Sequence, residues 1–290
     1  MTSRGLLTMV LLSGALSQWA SAQAPASTQV GASAGPVRND LPQPYRTTRN
    51  WGELPPGVKW AAVTAVEPAP NGIIYVIHRC FANSCEGRQE APILKYDRNG
   101  KRLASWGQGL FLFPHGATVD REGNLWVTDA RGNGTIGHQV LKFSPEGRVL
   151  MTLGKKGVSA SGADGFDQPT DVLVLANGDI LVADSHRNGR NNRIVRFSKE
   201  GQYLREFGTK GSGPGQISEP HTIAIDSQGR LFVGDRENNR IQIFTLKEGK
   251  CKLTEEHFLP PGEHLISLGG GKSKVMSIYA GVTTPVRQCP

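Results

Sequence analysis

Two histidines stand in the same slot of a repeated phrase, and imidazoles at matching positions of a repeat are the raw material of a metal site. The phrase reads Phe113-Pro114-His115-Gly116, then Gln168-Pro169-Thr170-Asp171, then Glu219-Pro220-His221-Thr222. His115 and His221 follow their prolines directly, and polar Thr170 fills the slot between them. A catalytic zinc takes three protein ligands and keeps one position open. Two matched imidazoles therefore supply most of such a set.

What must position them is the repeat itself. Each phrase leads into an apolar stretch, a Gly-bearing turn and an apolar strand closing on Asp129, Asp184 or Asp235. The prolines step by 55 and 51 residues (114 to 169 to 220), and the aspartates step identically (129 to 184 to 235). A period near fifty with several short strands per unit predicts an all-β fold, a β-propeller whose innermost strands converge on one axis. The first blade reads as Trp60 to Val66, Asn71-Gly72 as a hairpin turn, Ile73 to His78 and Ile93 to Tyr96. The second and third each offer four strands, ending at Val149 to Leu153 and Tyr203 to Phe207, and the fourth offers strands up to Arg240 to Phe244. A fifth inner strand is due near residue 270, where Gly269-Gly270-Gly271-Lys272 stands. The tail offers a degenerate blade through Leu265 to Leu268 and Val275 to Ala280. About four clear blades and a degenerate tail leave three outcomes: a distorted fifth blade, completion by a partner chain, or a truncated ring.

Residues 1–22 read as an export signal, with Arg4, the apolar run from Leu6 to Leu16 and Ala20-Ser21-Ala22 as the cleavage pattern. Residues 23–57 form a flexible Pro/Ala/Ser-rich lead-in, 58–250 the blades and 251–290 the degenerate last blade or tail. The expectation is a secreted or periplasmic protein with no membrane span. The net charge of +8 favours acidic partners weakly, and export argues against nucleic acid. Four cysteines allow three pairings. Cys80 with Cys85 is the favoured one because a short loop closes it, which leaves Cys251 with Cys289. Gly269 to Ser273 imitates a phosphate loop without its strand-to-helix context, and Asn133-Gly134-Thr135 is a glycosylation sequon.

Asn192-Arg193-Ile194-Val195-Arg196-Phe197 and Asp235 to Phe244 resemble NHL repeats, members of a six-bladed propeller family. Taken together, Phe113 to Gly116, Trp126 to Asp129, His138-Gln139-Val140 and Gln168 to Val172 resemble peptidyl-α-hydroxyglycine α-amidating lyase over roughly Ile73 to Phe244. The resemblance implies a zinc at the axis held by three histidines, of which His115 and His221 match two. It also implies an arginine pair, matched by Arg79 and Arg236, and a deeper calcium touched by the carbonyl of Ala117. The family's third histidine belongs to a last blade not recognisable here, leaving His257 and His264 by default. Where the family has a tyrosine, this chain reads Ser185-His186-Arg187-Asn188-Gly189-Arg190-Asn191, so His186 is the substitute base.

Such an enzyme would cleave the N–Cα bond of a small peptide-like, hydroxylated substrate. Two other functions fit the same propeller: a non-enzymatic module gripping a peptide, glycan or protein partner, and a calcium-dependent lactonase-like hydrolase. Asp129, Asp184 and Asp235 read as structural ties of the blade loops. His78 and His138 read as structural too.

Overall fold

A computed structural model describes residues 49–187, 189–247, 250–258, 265–271 and 274–279, with backbone alone considered from 255 onward. The expected signal segment, most of the lead-in, His264 and Cys289 lie outside the described residues, as do the side chains of Cys251 and His257.

The described residues are all-β, with eighteen strands in chain order. The first sheet holds β1 (Val63–Pro68), β2 (Ile74–His78), β3 (Ile93–Tyr96) and β4 (Arg102–Trp106). The second holds β5 (Pro114–Val119), β6 (Leu125–Gly132), β7 (Gly137–Phe143) and β8 (Val149–Leu153). The third holds β9 (Pro169–Val174), β10 (Ile180–Asp184), β11 (Arg193–Phe197) and β12 (Tyr203–Phe207). The fourth holds β13 (Pro220–Ile225), β14 (Arg230–Asp235), β15 (Arg240–Lys247) and β16 (Lys250–Phe258). Each is a four-stranded antiparallel meander in sequence order, and β17 (Leu265–Gly271) pairs with β18 (Lys274–Tyr279).

The first strand of each sheet touches the first strand of the sheet before it, β1 to β5 to β9 to β13 to β17. Three of these innermost strands, β5, β9 and β13, carry the repeated phrase, so the propeller geometry expected from the period is present. Three expectations shift. The first and fourth blades each gain a fourth strand, Arg102–Trp106 and Lys250–Phe258. The first of these is mostly exposed and carries no apolar alternation to announce it. The strand Lys250–Phe258 straddles the 250/251 boundary read from the sequence and completes the fourth sheet. The glycine run also does not interrupt the fifth inner strand: Gly269, Gly270 and Gly271 pair with Met276, Val275 and Lys274.

The core lies between neighbouring sheets. Tyr75, Ile77, Ile93, Phe111, Leu125 and Phe143 fill the space between the first and second, and Trp126, Phe166, Val172, Ile180 and Val195 that between the second and third. Leu181, Ile194, Ile223, Leu231 and Phe244 do the same for the next pair. Middle strands such as β10 are buried along their whole length because both faces are covered, which explains their continuous apolar runs.

The closing aspartates bind each blade to its own entry loop. The carboxylate of Asp129 accepts the N–H groups of Leu112 (2.8 Å) and Phe113, Asp184 accepts that of Asp167 (2.8 Å) and Asp235 that of Ser218 (2.7 Å). The disulfide Cys80–Cys85 closes the loop after β2, as the short spacing suggested.

Candidate metal centre

The slot after each proline faces the axis, and the loop after β10 brings a third imidazole to it. His115 on β5, His221 on β13 and His186, two residues beyond β10, present ring nitrogens that all lie within 4.8 Å of one another. Ring centroids are 4.7 Å apart for His115 and His221, 4.9 Å for His115 and His186, and 5.6 Å for His186 and His221.

Local bonding fixes the first ring. His115 Nδ1 is 2.9 Å from the carbonyl oxygen of Thr170. A carbonyl only accepts, so Nδ1 carries the proton and Nε2 keeps its lone pair. Thr170 is itself held by its hydroxyl, which donates to Pro220 O (2.6 Å), so the blade-three residue of the slot ties blade two to blade four. His186 is buried, and its Nδ1 has no hydrogen-bond partner among the described residues. Leaving a buried polar nitrogen unpaired costs about 1–3 kcal/mol, which a bound cation would offset.

Electrostatics keep the His115 and His186 rings neutral. Burial, followed by His221 and His186, pushes the pKa of His115 well below the ordinary imidazole value. Burial, followed by His221 and Arg236, brings that of His186 down to about 3. Neutral imidazoles with no carboxylate among them are a donor set suited to zinc.

Arginines surround the triad. Arg79, directly after β2, donates from Nε to Pro114 O (3.3 Å) and from a terminal nitrogen to Asn83 Oδ1 (3.0 Å). Its guanidinium lies 3.4 Å from the centre of the Phe113 ring. Burial, then Arg131 and Arg187, lower its pKa to about 10. Arg236, directly after β14, donates to the buried Glu219 (2.8 Å). Ala117 lies on β5, whose inner neighbours β1 and β9 carry Glu67 and Asp171. Burial raises Glu67 to about 8 and Asp171 to about 7, with Asp171 raising Glu67 further.

The structure thus brings together His115, His221 and His186, with Arg79 and Arg236 near them. His186 stands among the imidazoles, whereas the sequence pattern set it apart as a base. His78 and His138 hold backbone: Phe81 N–H donates to His78 Nδ1 (3.0 Å) and Gln168 N–H to His138 Nδ1 (3.2 Å). Sequence reasoning missed Phe113, Arg131 and Arg187. A signal existed, since His78, Asp129, Asp184 and Asp235 all pair with the start of the inner strand in register. The next one to three residues after each therefore face the same end of the ring.

Residues 111–139 and 218–244 match the NHL repeat. NHL repeat-containing protein 3 of Homo sapiens is 32% identical over 263 residues, covering 84% of this chain and 72% of that protein. A probable peptidyl-α-hydroxyglycine α-amidating lyase of Caenorhabditis elegans is 37% identical over 182 residues, covering 61% of this chain; the match spans half of that protein. Among solved structures, virginiamycin B lyase of Staphylococcus aureus superposes with a TM-score of 0.50 at 15% identity, over 77% of this chain and 69% of that one. At that identity the likeness establishes the propeller fold alone.

Proposed function

Because this chain belongs to the NHL-repeat family, we propose that it is an exported, metal-dependent carbon–nitrogen lyase acting on peptidyl α-hydroxyglycine-type substrates. The observation that carries this reading is the convergence of three imidazoles from blades two, three and four. The resemblance to amidating lyases over the same blades supports the substrate class. Export is supported by the Cys80–Cys85 disulfide, a bond characteristic of oxidising compartments.

His115, His186 and His221 would hold zinc, and zinc there would supply Lewis acidity toward the substrate's α-hydroxyl. His186 then takes the place of the third ligand, in a blade where the resemblance implied a base. Arg79, fixed by Pro114 O and Asn83, has donors free for the substrate carboxylate, and Arg236 is steadied by Glu219. Bidentate guanidinium binding orients that carboxylate and sets the N–Cα bond over the triad. As the bond breaks, its electron pair goes to the amide nitrogen, which gains a proton. The α-hydroxyl loses one and becomes the aldehyde of glyoxylate. Ala117, with the paired acids Glu67 and Asp171 beside β5, is where calcium would sit.

The test is glyoxylate release from a synthetic peptidyl α-hydroxyglycine. Turnover abolished by a chelator and restored by zinc is expected; turnover unchanged in His115→Ala would contradict it. Metal-free, folded protein without turnover would favour the binding module, and calcium alone the hydrolase.

A further inference from the structure

Beyond the triad, the end of β6, the start of β7, the entry to β9 and the turn after β10 frame a cleft of about 440 Å³ lined by Arg131, Gly132, His138, Asp167, Gln168 and Arg187. Its charges are unbalanced, with two arginines, one histidine and one carboxylate in the lining. Asp167, the cleft's one carboxylate, is taken by Arg190, whose backbone N–H (2.9 Å) and Nε (3.3 Å) both reach it. Elsewhere, Arg193 and Arg240 are buried against Asp184 and Asp235, and Arg236 is paired with Glu219. Arg79, Arg131 and Arg187 form no ion pair among the described residues. The first two are held against the same aromatic ring, at 3.4 and 3.9 Å from the centre of Phe113.

Guanidinium groups crowded together with only the buried Asp129 acting on Arg79 repel, and a fold keeps that arrangement where an anion relieves it. Contact with the Phe113 ring holds both guanidinium groups in place by cation–π attraction, which uses no N–H donor. The same ring lies 6.0 Å from His186 and 6.4 Å from His115, so the cleft adjoins the triad. Its wall is built to hold Arg131 in place. Gly137 has a φ of +97°, and a Cβ there would lie 1.7 Å from the carbonyl oxygen of Arg131, so any side chain would displace that arginine.

We propose that this cleft is a second anion subsite, in which Arg131 and Arg187 bind an acidic side chain immediately preceding the hydroxyglycine. The preferred substrate is therefore dianionic, with its terminal carboxylate at Arg79 and its second carboxylate in the cleft. This deepens the lyase reading and rests on it for the identity of the reacting group.

The test uses the intact chain and two synthetic peptidyl α-hydroxyglycines that differ only in glutamate or glutamine before the hydroxyglycine. For wild type, kcat/KM is expected to favour glutamate by about tenfold or more, as charge-assisted pairing predicts. In the Arg131→Gln, Arg187→Gln variant that preference collapses to within twofold. Equal kcat/KM for both peptides in wild type would overturn the subsite and leave the lyase reading standing. Equilibrium binding of the unreactive dipeptides acetyl-Glu-Gly and acetyl-Gln-Gly separates the two proposals. Tighter binding of acetyl-Glu-Gly that is lost in the variant, with no glyoxylate from either hydroxyglycine peptide, would uphold the subsite while the lyase reading fails. Equal binding of the two dipeptides would overturn it.

Discussion

The repeated proline sits opposite the aspartate of each second strand in register, yet the chain uses that aspartate and the slot just after the proline in contrary ways. Pro114 pairs with Asp129, Pro169 with Asp184 and Pro220 with Asp235. In these three blades the position opposite the proline keeps one residue type and one role, in which each aspartate accepts a backbone N–H seventeen residues upstream. The post-proline slot varies, His115, Thr170, His221, and its members differ in what they can bind. Where a repeat serves the blade it repeats its chemistry; where it faces the axis, blades contribute different parts of one site.

Breaking the anchors should have the largest effect. Asp184 and Asp235 hold the buried guanidinium groups of Arg193 and Arg240, so Asp235→Ala strands a charge and is expected to cost about 3–5 kcal/mol in denaturant unfolding. Asp129 faces Gln139 in the same register and has no buried ion pair across the strand, and burial raises its pKa to about 7 against the opposing pull of Arg79. Asp129→Asn is therefore expected to cost only about 1–3 kcal/mol. An equal loss at the two positions would dissolve the distinction between the blades.

The disulfide is next in size. Cys80→Ser with Cys85→Ser releases a short loop and is expected to lower stability by about 2 kcal/mol, with Arg79, one residue before Cys80, losing its fixed position. Weaker carboxylate binding at unchanged zinc content would be the signature.

Smaller still is a pH effect in the axial channel. Glu67 and Asp171 carry raised pKa values, about 8 and 7, so the folded state holds protons that the unfolded chain releases near 4. Their contribution is full below the unfolded values and is lost as pH rises through about 7–8. Melting temperature should fall across that window, and Glu67→Gln should flatten the fall. A melting curve insensitive to pH in both proteins would contradict the burial of this pair.

Much of this was legible in the sequence because repetition marks equivalent positions. The period located four inner strands, and the slot identified His115 and His221 before any contact was known. Edge strands such as Arg102–Trp106 were not legible, since an exposed strand has no alternation to enforce. His186 could be named but not placed: its position depends on how the loop after β10 folds back over the axis. Arg131, near the end of β6, and Arg187, in the turn after β10, follow the same register cue in the sequence but gain meaning only through the cleft they line.

The central claim is that three blades jointly hold one metal ion. Elemental analysis of the purified full chain and of His115→Ala, His186→Ala and His221→Ala tests it most directly. The Thr170 carbonyl keeps its bond from the Thr128 hydroxyl (3.1 Å) when the His115 ring is removed, so that variant should stay folded. About one zinc per chain in wild type, lost in every variant, is the predicted result; stoichiometric zinc retained in His186→Ala would contradict it.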